Sequence, residues 1–95
     1  MEATIIWDLE DDPEGNVQHL REHDVTIVEA EEVLLDPRSS RSVSRSSGLP
    51  TAFGWTSTGR HLAVVYELVD DPLTFRPVTA YDVPPPRPGR KRRKQ

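Results

Sequence analysis

The sequence predicts a small α+β domain in which an antiparallel sheet packs against two helices, with the element order β-α-α-β-β-β. Segments rich in β-branched and aromatic residues occur at 3–7 and three times after residue 50, and two segments with helix-start signals separate them. The 95 residues, of which 35% are apolar, suffice for one core. We therefore assign a single domain to 1–83 and expect 84–95 to be a disordered, Pro-rich basic tail.

The first helix is predicted from 13 to 23, after an acidic run that ends the first strand. Asp12 suits the N-cap, Pro13 suits the first helical position, and Glu14 favours the positive end of the helix dipole. This helix carries the polar residues considered below.

The second helix is predicted from Thr26 to Asp36. Thr26 and Glu29 have the spacing of a capping box, and Val25 is placed to pack against Ala30. The proline that follows Asp36 ends the helix.

A Ser/Arg-rich segment at 38–50 contains six serines and three arginines and has neither a helical nor a strand period. We interpret it as a flexible loop. The alternative is a partner-binding segment that becomes ordered on contact.

Three strands are predicted after this loop, at 51–56, 60–68 and 73–81. Gly59 lies in the first connecting turn, where it can supply a positive φ. Pro77 restricts the last strand to a sheet edge or a bulge.

The register of the last two strands decides where two arginines point. An unbulged hairpin places Arg60 opposite Tyr81 and Arg76 opposite Val65, which puts the arginines on opposite faces of the sheet. The alternative is a bulge at Pro77, which can reverse that placement.

Composition excludes several classes of protein. The chain has no cysteine, so it forms no disulfide, thiolate zinc site or cysteine nucleophile, and a reducing, cytoplasmic setting is expected. The longest apolar run, at 62–66, is far shorter than the roughly 20 residues that span a bilayer. The first residues show no signal-peptide pattern, so we expect the chain to begin with folded material.

Charge is distributed unevenly along the chain. Residues 1–83 contain all 16 acidic residues and six arginines, a net charge of −10, whereas 84–95 contain six basic residues and no acidic one. The tail therefore predicts attraction to RNA, DNA or another anionic partner, with Arg90, Lys91 and Arg92 as contacts. A solubility tail and a tail that folds back on the acidic body are the alternatives.

The segment His19-Leu-Arg-Glu-His23 fits the H-x-x-E-H pattern of some zinc peptidases. A chain of this size offers neither a third ligand from another helix nor a peptide cleft, so we expect no metal or cofactor. Asn16, His19 and His23 recur at i, i+3 and i+7, which puts them on one helix face. They either contact a nucleotide or form an ordinary polar surface.

Arg60 and Arg76 lie in the β-rich half, where a guanidinium on a rigid strand is suited to clamp a phosphate. The alternative is a surface ion pair with Glu67 or Asp82. Five aromatic residues sit singly along the strands, a spacing that favours core or sheet-surface packing over base stacking. They are Trp7, Phe53, Trp55, Tyr66 and Phe75.

An ordered set of short motifs resembles the BrnT family of bacterial toxins over most of 5–81. The motifs are Trp7-Asp8, Asn16-x-x-His19, His23-Asp24-Val25, the capped second helix at 26–37, Thr58-Gly59-Arg60-x-Leu62-x-Val64-Val65-Tyr66, and Arg76-x-x-Thr79-Ala80. The resemblance implies a RelE-like fold and a metal-independent endoribonuclease that inhibits translation. It also implies a heteromeric complex with an antitoxin encoded beside the toxin.

Carried over by position, the family's Gly-Arg motif falls on Gly59 and Arg60, and its strand arginine falls on Arg76. Three basic features differ here. Where the family has Ser-Ala-Arg, this chain has Thr79-Ala80-Tyr81. Where the family has Lys-His-Gly-Val, this chain has Glu22-His23-Asp24-Val25. The Pro-rich tail takes the place of the family's basic C-terminal helix.

Metal-free RNA cleavage needs a base for the 2′-OH proton, an acid for the leaving oxygen and cations for the phosphate. His23 or His19 is the candidate base, and Arg60 and Arg76 are the candidate phosphate ligands. Tyr81 is a candidate either to donate a hydrogen bond or to stack on a base. The expected substrate is RNA, including ribosome-bound mRNA. The alternative is a catalytically inactive binding module that holds a protein or nucleic-acid partner.

Overall fold

The computed structural model describes residues 3–43 and 47–85. Seven elements follow one another along the chain: β1 (Thr4–Ile5), α1 (Asn16–Arg21), α2 (Ile27–Leu35), β2 (Ser40–Val43), β3 (Pro50–Trp55), β4 (His61–Leu68) and β5 (Thr74–Asp82). The α+β class is therefore confirmed, with five strands where the sequence predicted four.

The five strands form one sheet in the order β1-β5-β4-β3-β2. Neighbouring strands are antiparallel except β1, which runs parallel to β5. The predicted antiparallel sheet is thus a mixed one. The parallel pair arises because the chain passes through both helices and three further strands before β5 returns to the side of β1, where Ile6 N donates to Phe75 O at 2.9 Å.

The core lies between the helices and one face of the sheet. Alternate residues of β4, namely Leu62, Val64 and Tyr66, point to this face because side chains alternate along a strand. The helical side of the core is formed by Leu20, Val25, Ala30, Val33 and Leu34. Ala63 and Val65 point to the opposite face, which we call the helix-free face, since both helices pack on the other side.

The second helix is confirmed at Ile27–Leu35. The Thr26 side chain accepts from Glu29 N, and the Glu29 carboxylate accepts from Thr26 N, so both halves of the capping box form. Val25 and Ala30 are buried in the core on either side of this cap.

The first helix is shorter than predicted and begins at Asn16 rather than Pro13. Asp12 does not cap it; its carboxylate accepts from Glu14 N in a turn before the helix. The carboxylate of Asp8 instead accepts from Asn16 N at 2.9 Å. The start of α1 is therefore fixed by a residue in the segment after β1, which local helix-start signals do not reveal.

The first helix ends in a Schellman motif, in which Val25 N donates to Leu20 O and Asp24 N donates to Arg21 O. Asp24 has a φ of 61°, in the left-handed region that glycine usually occupies. This is the position at which the BrnT pattern has glycine.

The Ser/Arg-rich segment contains a strand, so the prediction of a flexible loop over 38–50 is wrong for part of it. Ser40–Val43 pairs with β3 as an edge strand. Arg41 anchors it, because its guanidinium donates to Leu34 O at 2.7 Å and to the Tyr66 hydroxyl at 3.2 Å. Residues 44–46 lie outside the described part of the chain.

The hairpin register differs from the unbulged prediction. Arg76 pairs with Glu67 and Tyr81 pairs with Ala63, with a shift in register between Val65 and Tyr66. The irregularity lies beside Pro77, which lacks the N–H that a regular ladder uses. The turn before β4 is as predicted, with Gly59 at a φ of 87°.

Candidate functional site

Arg60 is the centre of a hydrogen-bond network just before β4. Its Nε and Nη2 donate to the two oxygens of Asp82 at 3.1 and 2.8 Å, and its Nη1 donates to Glu29 Oε1 at 2.9 Å. The carbonyls of Asp24 and His23 accept at 2.6 and 3.5 Å. These contacts use all five N–H groups of the guanidinium. A phosphate would therefore have to displace carboxylates that are already in place.

Each charged group in this network stabilises the charged form of its partners. The hydrogen bond to Asp82 is the largest cause that raises the pKa of Arg60, and the bond lowers the pKa of Asp82 in return. Burial raises the pKa of Glu29, but hydrogen bonds from Thr26, Thr58 and Arg60 outweigh it, so the net pKa lies below its ordinary value. The network thus holds one cation between two ionised carboxylates and carries a net negative charge.

Arg76 lies in a second charged group, on the helix-free face. It donates to Asp8 Oδ2 at 2.8 Å and to Glu67 Oε2 at 3.4 Å. Its other N–H groups have no hydrogen-bond partner within the described residues. The hydrogen bond from Asn16 N is the main cause that lowers the pKa of Asp8, and the charges of Arg76 and His19 lower it further.

The two arginines predicted to clamp a phosphate do not converge. Arg76 pairs with Glu67, which lies seven residues after Arg60 along the chain. At the rise of a β-strand, this separates the two arginines by about 23 Å along the sheet. They also lie on opposite faces of the sheet, since Arg60 bonds to α2 and Arg76 sits opposite Glu67 on the helix-free face. The irregularity beside Pro77 therefore does not bring the two arginines to one face. One phosphate cannot bind both.

Three of the four predicted catalytic residues do come together. The His23 and Tyr81 rings lie 6.0 Å apart, and the backbone of His23 contacts Arg60. Arg76 is remote from this group. The geometry thus places a histidine, a phenol and a guanidinium in one region, but the guanidinium is fully engaged.

Asn16 is buried, with 2% of its surface exposed, and its side chain is fully hydrogen-bonded. The Oδ1 atom accepts from Asp8 N, and the Nδ2 atom donates to Ile6 O and Pro77 O at 3.0 Å each. The predicted nucleotide contact would require an amide that instead joins α1 to β1 and β5. His19, one turn along, is half-buried.

The basic tail residues predicted to bind substrate, Arg90, Lys91 and Arg92, lie outside the described residues, as does the predicted disorder of 86–95. Their role stays a prediction. Within residues 3–43 and 47–85, no three side chains of the metal-ligating types are grouped to hold an ion.

The alternative that the sequence offered for the two arginines, an ion pair with Glu67 or Asp82, is confirmed, since Arg60 pairs with Asp82 and Arg76 with Glu67. Sequence reasoning missed the other two carboxylates that hold them, Glu29 and Asp8. The local pattern predicts only a capping role for Glu29 and no contact for Asp8, because their contacts to Arg60 and Arg76 span 31 and 68 residues. Trp55 shows the sheet-surface form of the predicted packing: 51% of the residue is exposed, and its ring centroid lies 4.8 Å from that of His61.

Comparison with protein-family models, curated proteins and solved structures found no match for this chain. A search for membrane spans found no sufficiently long and apolar helix in the part of the chain that the structure describes.

Proposed function

We propose that this protein is a catalytically inactive binding module on a small BrnT-like α+β scaffold, acting in the cytoplasm. The motif resemblance supports a place in a toxin–antitoxin pair, with the antitoxin as a protein partner. The fold, with two helices on one face of a sheet, is compatible with a RelE-like architecture, which we include in the proposal.

The state of Arg60 carries this proposal. Every N–H of its guanidinium has an acceptor inside the protein, and two of the acceptors are ionised carboxylates. Stabilising the charge that develops on phosphorus requires donors that are free to meet it. Arg76, held by Asp8 and Glu67, lies too far away to replace Arg60 beside His23 and Tyr81.

The test is incubation of the purified full chain with end-labelled RNA in EDTA at low salt, and separately with translating ribosomes. We expect intact RNA in both. Induced expression in a bacterial host should also leave growth unchanged while soluble protein accumulates.

A second candidate is a metal-independent endoribonuclease with weakened activity. Arg76 favours it, because some of its N–H groups lack partners among the described residues. Arg76 and His19 also both lie close enough to Asp8 for their charges to lower its pKa, so a guanidinium and an imidazole are near each other there. Cleavage that leaves 2′,3′-cyclic phosphate ends would establish this candidate and overturn the first. Activity should then be lost in Arg76→Gln and His19→Ala but retained in the control Arg38→Ala, whose side-chain hydrogen bonds within the described residues go to Asp36.

A further inference from the structure

A cleft of about 530 Å³ lies between α1 and the first turn of α2, and we call it the interhelical cleft. Its apolar lining consists of Val17 from α1, Val25 from the connection, and Ile27 and Val28 from α2. Val17 and Val25 are buried, Ile27 is half-buried and Val28 is 64% exposed. The described residues therefore leave an apolar surface open to solvent at this place.

The rim of the cleft is acidic. The charged residues of the lining are Glu10, Arg21 and Asp24. Arg21 Nη2 lies 3.5 Å from Glu10 Oε1, so these two charges offset each other and the carboxylate of Asp24 is in excess. The segments that supply these residues, 9–14 and 21–24, contain six acidic residues and one arginine, all of them exposed. The rim therefore attracts a cationic ligand and repels an anionic one.

Asp24 is held in place by its backbone, while its side chain is unengaged. Its carbonyl accepts from Arg60 Nη1 at 2.6 Å, and its carboxylate has no hydrogen-bond or ion-pair partner within the described residues. Its φ of 61° is a conformation that costs an aspartate more than a glycine. Strained residues of this kind cluster at functional sites. A fixed backbone and an unpaired carboxylate suit Asp24 to meet a cation from another molecule.

An apolar cleft with an anionic rim is complementary to a peptide that carries apolar side chains beside lysine or arginine. The apolar side chains gain by leaving water, and the cations select this rim and set the orientation of the peptide. Amphipathic segments commonly bind grooves in this way. A nucleic acid does not fit, because its phosphates would face the carboxylates of the rim.

We propose that the interhelical cleft docks a basic amphipathic segment of a protein partner, with apolar side chains against Ile27 and Val28 and a cation on Asp24. This inference rests on the proposed function, since it gives the chemistry of the protein that the binding module holds.

The test begins with selection from a library of random dodecapeptides displayed on phage, with the immobilised full-length protein as the target. We expect the enriched peptides to combine lysines or arginines with apolar residues. Because the library contains every charge pattern, enrichment of acidic or of uncharged apolar peptides would overturn the proposal. Enrichment of basic peptides that lack apolar residues, or of no peptide at low salt, would overturn it as well.

Titration of the most enriched peptide, followed by fluorescence anisotropy, locates the apolar contact. Val28→Asn should weaken binding about ten-fold, because it replaces an apolar side chain of the lining with an amide that the peptide leaves without a partner. Val43→Asn is the matched control and should leave affinity unchanged, since Val43 is exposed to a similar extent, 66%, but lies on the edge strand β2.

Asp24→Asn tests the charge of the rim. Asparagine tolerates the left-handed conformation, so the variant removes the charge and keeps the backbone. Binding should weaken about three-fold at low salt and depend less on salt concentration. The matched control is Asp70→Asn. Asp70 is also exposed and left-handed, with a φ of 68°, but follows the end of β4, whereas Asp24 contacts Arg60 before its start.

Circular dichroism of each variant confirms that it is folded. Equal affinity of wild type, Val28→Asn and Asp24→Asn for the peptide would overturn the proposal and place the peptide on another surface. A loss in Val43→Asn or Asp70→Asn as large as in its matched variant would also overturn it, because the effect would then not belong to the cleft.

Incubation of the same proteins with end-labelled RNA separates this inference from the proposed function. Cleaved RNA together with cleft-dependent peptide binding would overturn catalytic inactivity and support the cleft. Intact RNA without cleft-dependent binding would overturn the cleft and leave the binding module to another surface.

Discussion

Arg60 and Glu29 form an ion pair of 2.9 Å between residues 31 apart in the sequence. Glu29 also completes the capping box of α2, so one carboxylate joins the start of this helix to the turn before β4. The pair is largely shielded from water, with 25% and 10% of the two side chains exposed. It holds together the end of the sheet at which His23 and Tyr81 meet.

We expect Arg60→Ala to lower the free energy of unfolding by about 3 kcal/mol, because the buried carboxylate of Glu29 would lose its charged partner. Urea denaturation measures the change. Arg38→Ala is the control and should leave the midpoint unchanged, since its ion pair with Asp36 is on the surface. Equal midpoints for Arg60→Ala and wild type would contradict a structural role for Arg60.

Stability should fall in acid. The folded-state pKa values of Asp8, Glu29 and Asp82 are lowered from 3.8, 4.5 and 3.8. The unfolded chain therefore binds more protons at low pH, so this contribution is present above about pH 4.5 and is lost as the pH falls through the folded values. Urea midpoints at pH 7, 5 and 3 test this expectation.

The Glu29→Gln variant separates the contribution of this carboxylate from that of the two aspartates. Its midpoint should fall less than that of wild type between pH 5 and 3. A wild-type midpoint that is the same at pH 5 and pH 3 would refute the assignment.

Asn16→Ala should lower the free energy of unfolding by roughly 2–3 kcal/mol. The substitution removes the amide that satisfies Asp8 N, Ile6 O and Pro77 O, and leaves buried backbone groups without partners. Gln18→Ala, on the same helix but nearer the surface, is the control. If Asn16→Ala were as stable as Gln18→Ala, the buried amide would not be what joins α1 to the sheet.

Asp24→Gly should raise the melting temperature, with a gain of roughly 0.5–1 kcal/mol, because glycine adopts the left-handed conformation at this position without steric cost. The same change at Glu22, where φ is −60°, should instead destabilise the protein. Thermal unfolding of both variants distinguishes the effects. Destabilisation by Asp24→Gly would show that the aspartate side chain contributes more than its backbone conformation costs.

Elements whose signals are local could be predicted from the sequence. The cap of α2 depends on Thr26 and Glu29, three residues apart, and the turn before β4 depends on the φ of Gly59. Both were predicted correctly for that reason. The strands β3 and β4 were predicted because alternation of apolar residues is a property of a single segment.

Tertiary structure alone decided where α1 begins and that β2 exists. Asp8 accepts from Asn16 N only because β1 is placed beside β5, so the helix start depends on the sheet. The strand Ser40–Val43 has no strand pattern of its own and forms through pairing with β3 and through the contact of Arg41 with Leu34 O.

The candidate site shows the same division. The sequence identified Arg60, Arg76, His23 and Tyr81 as residues able to bind a phosphate or transfer a proton, since this ability depends on side-chain type. Whether a guanidinium is free to bind a phosphate depends on carboxylates 9 to 68 residues away in the chain. Charge interactions act through distance in space, and the fold sets that distance.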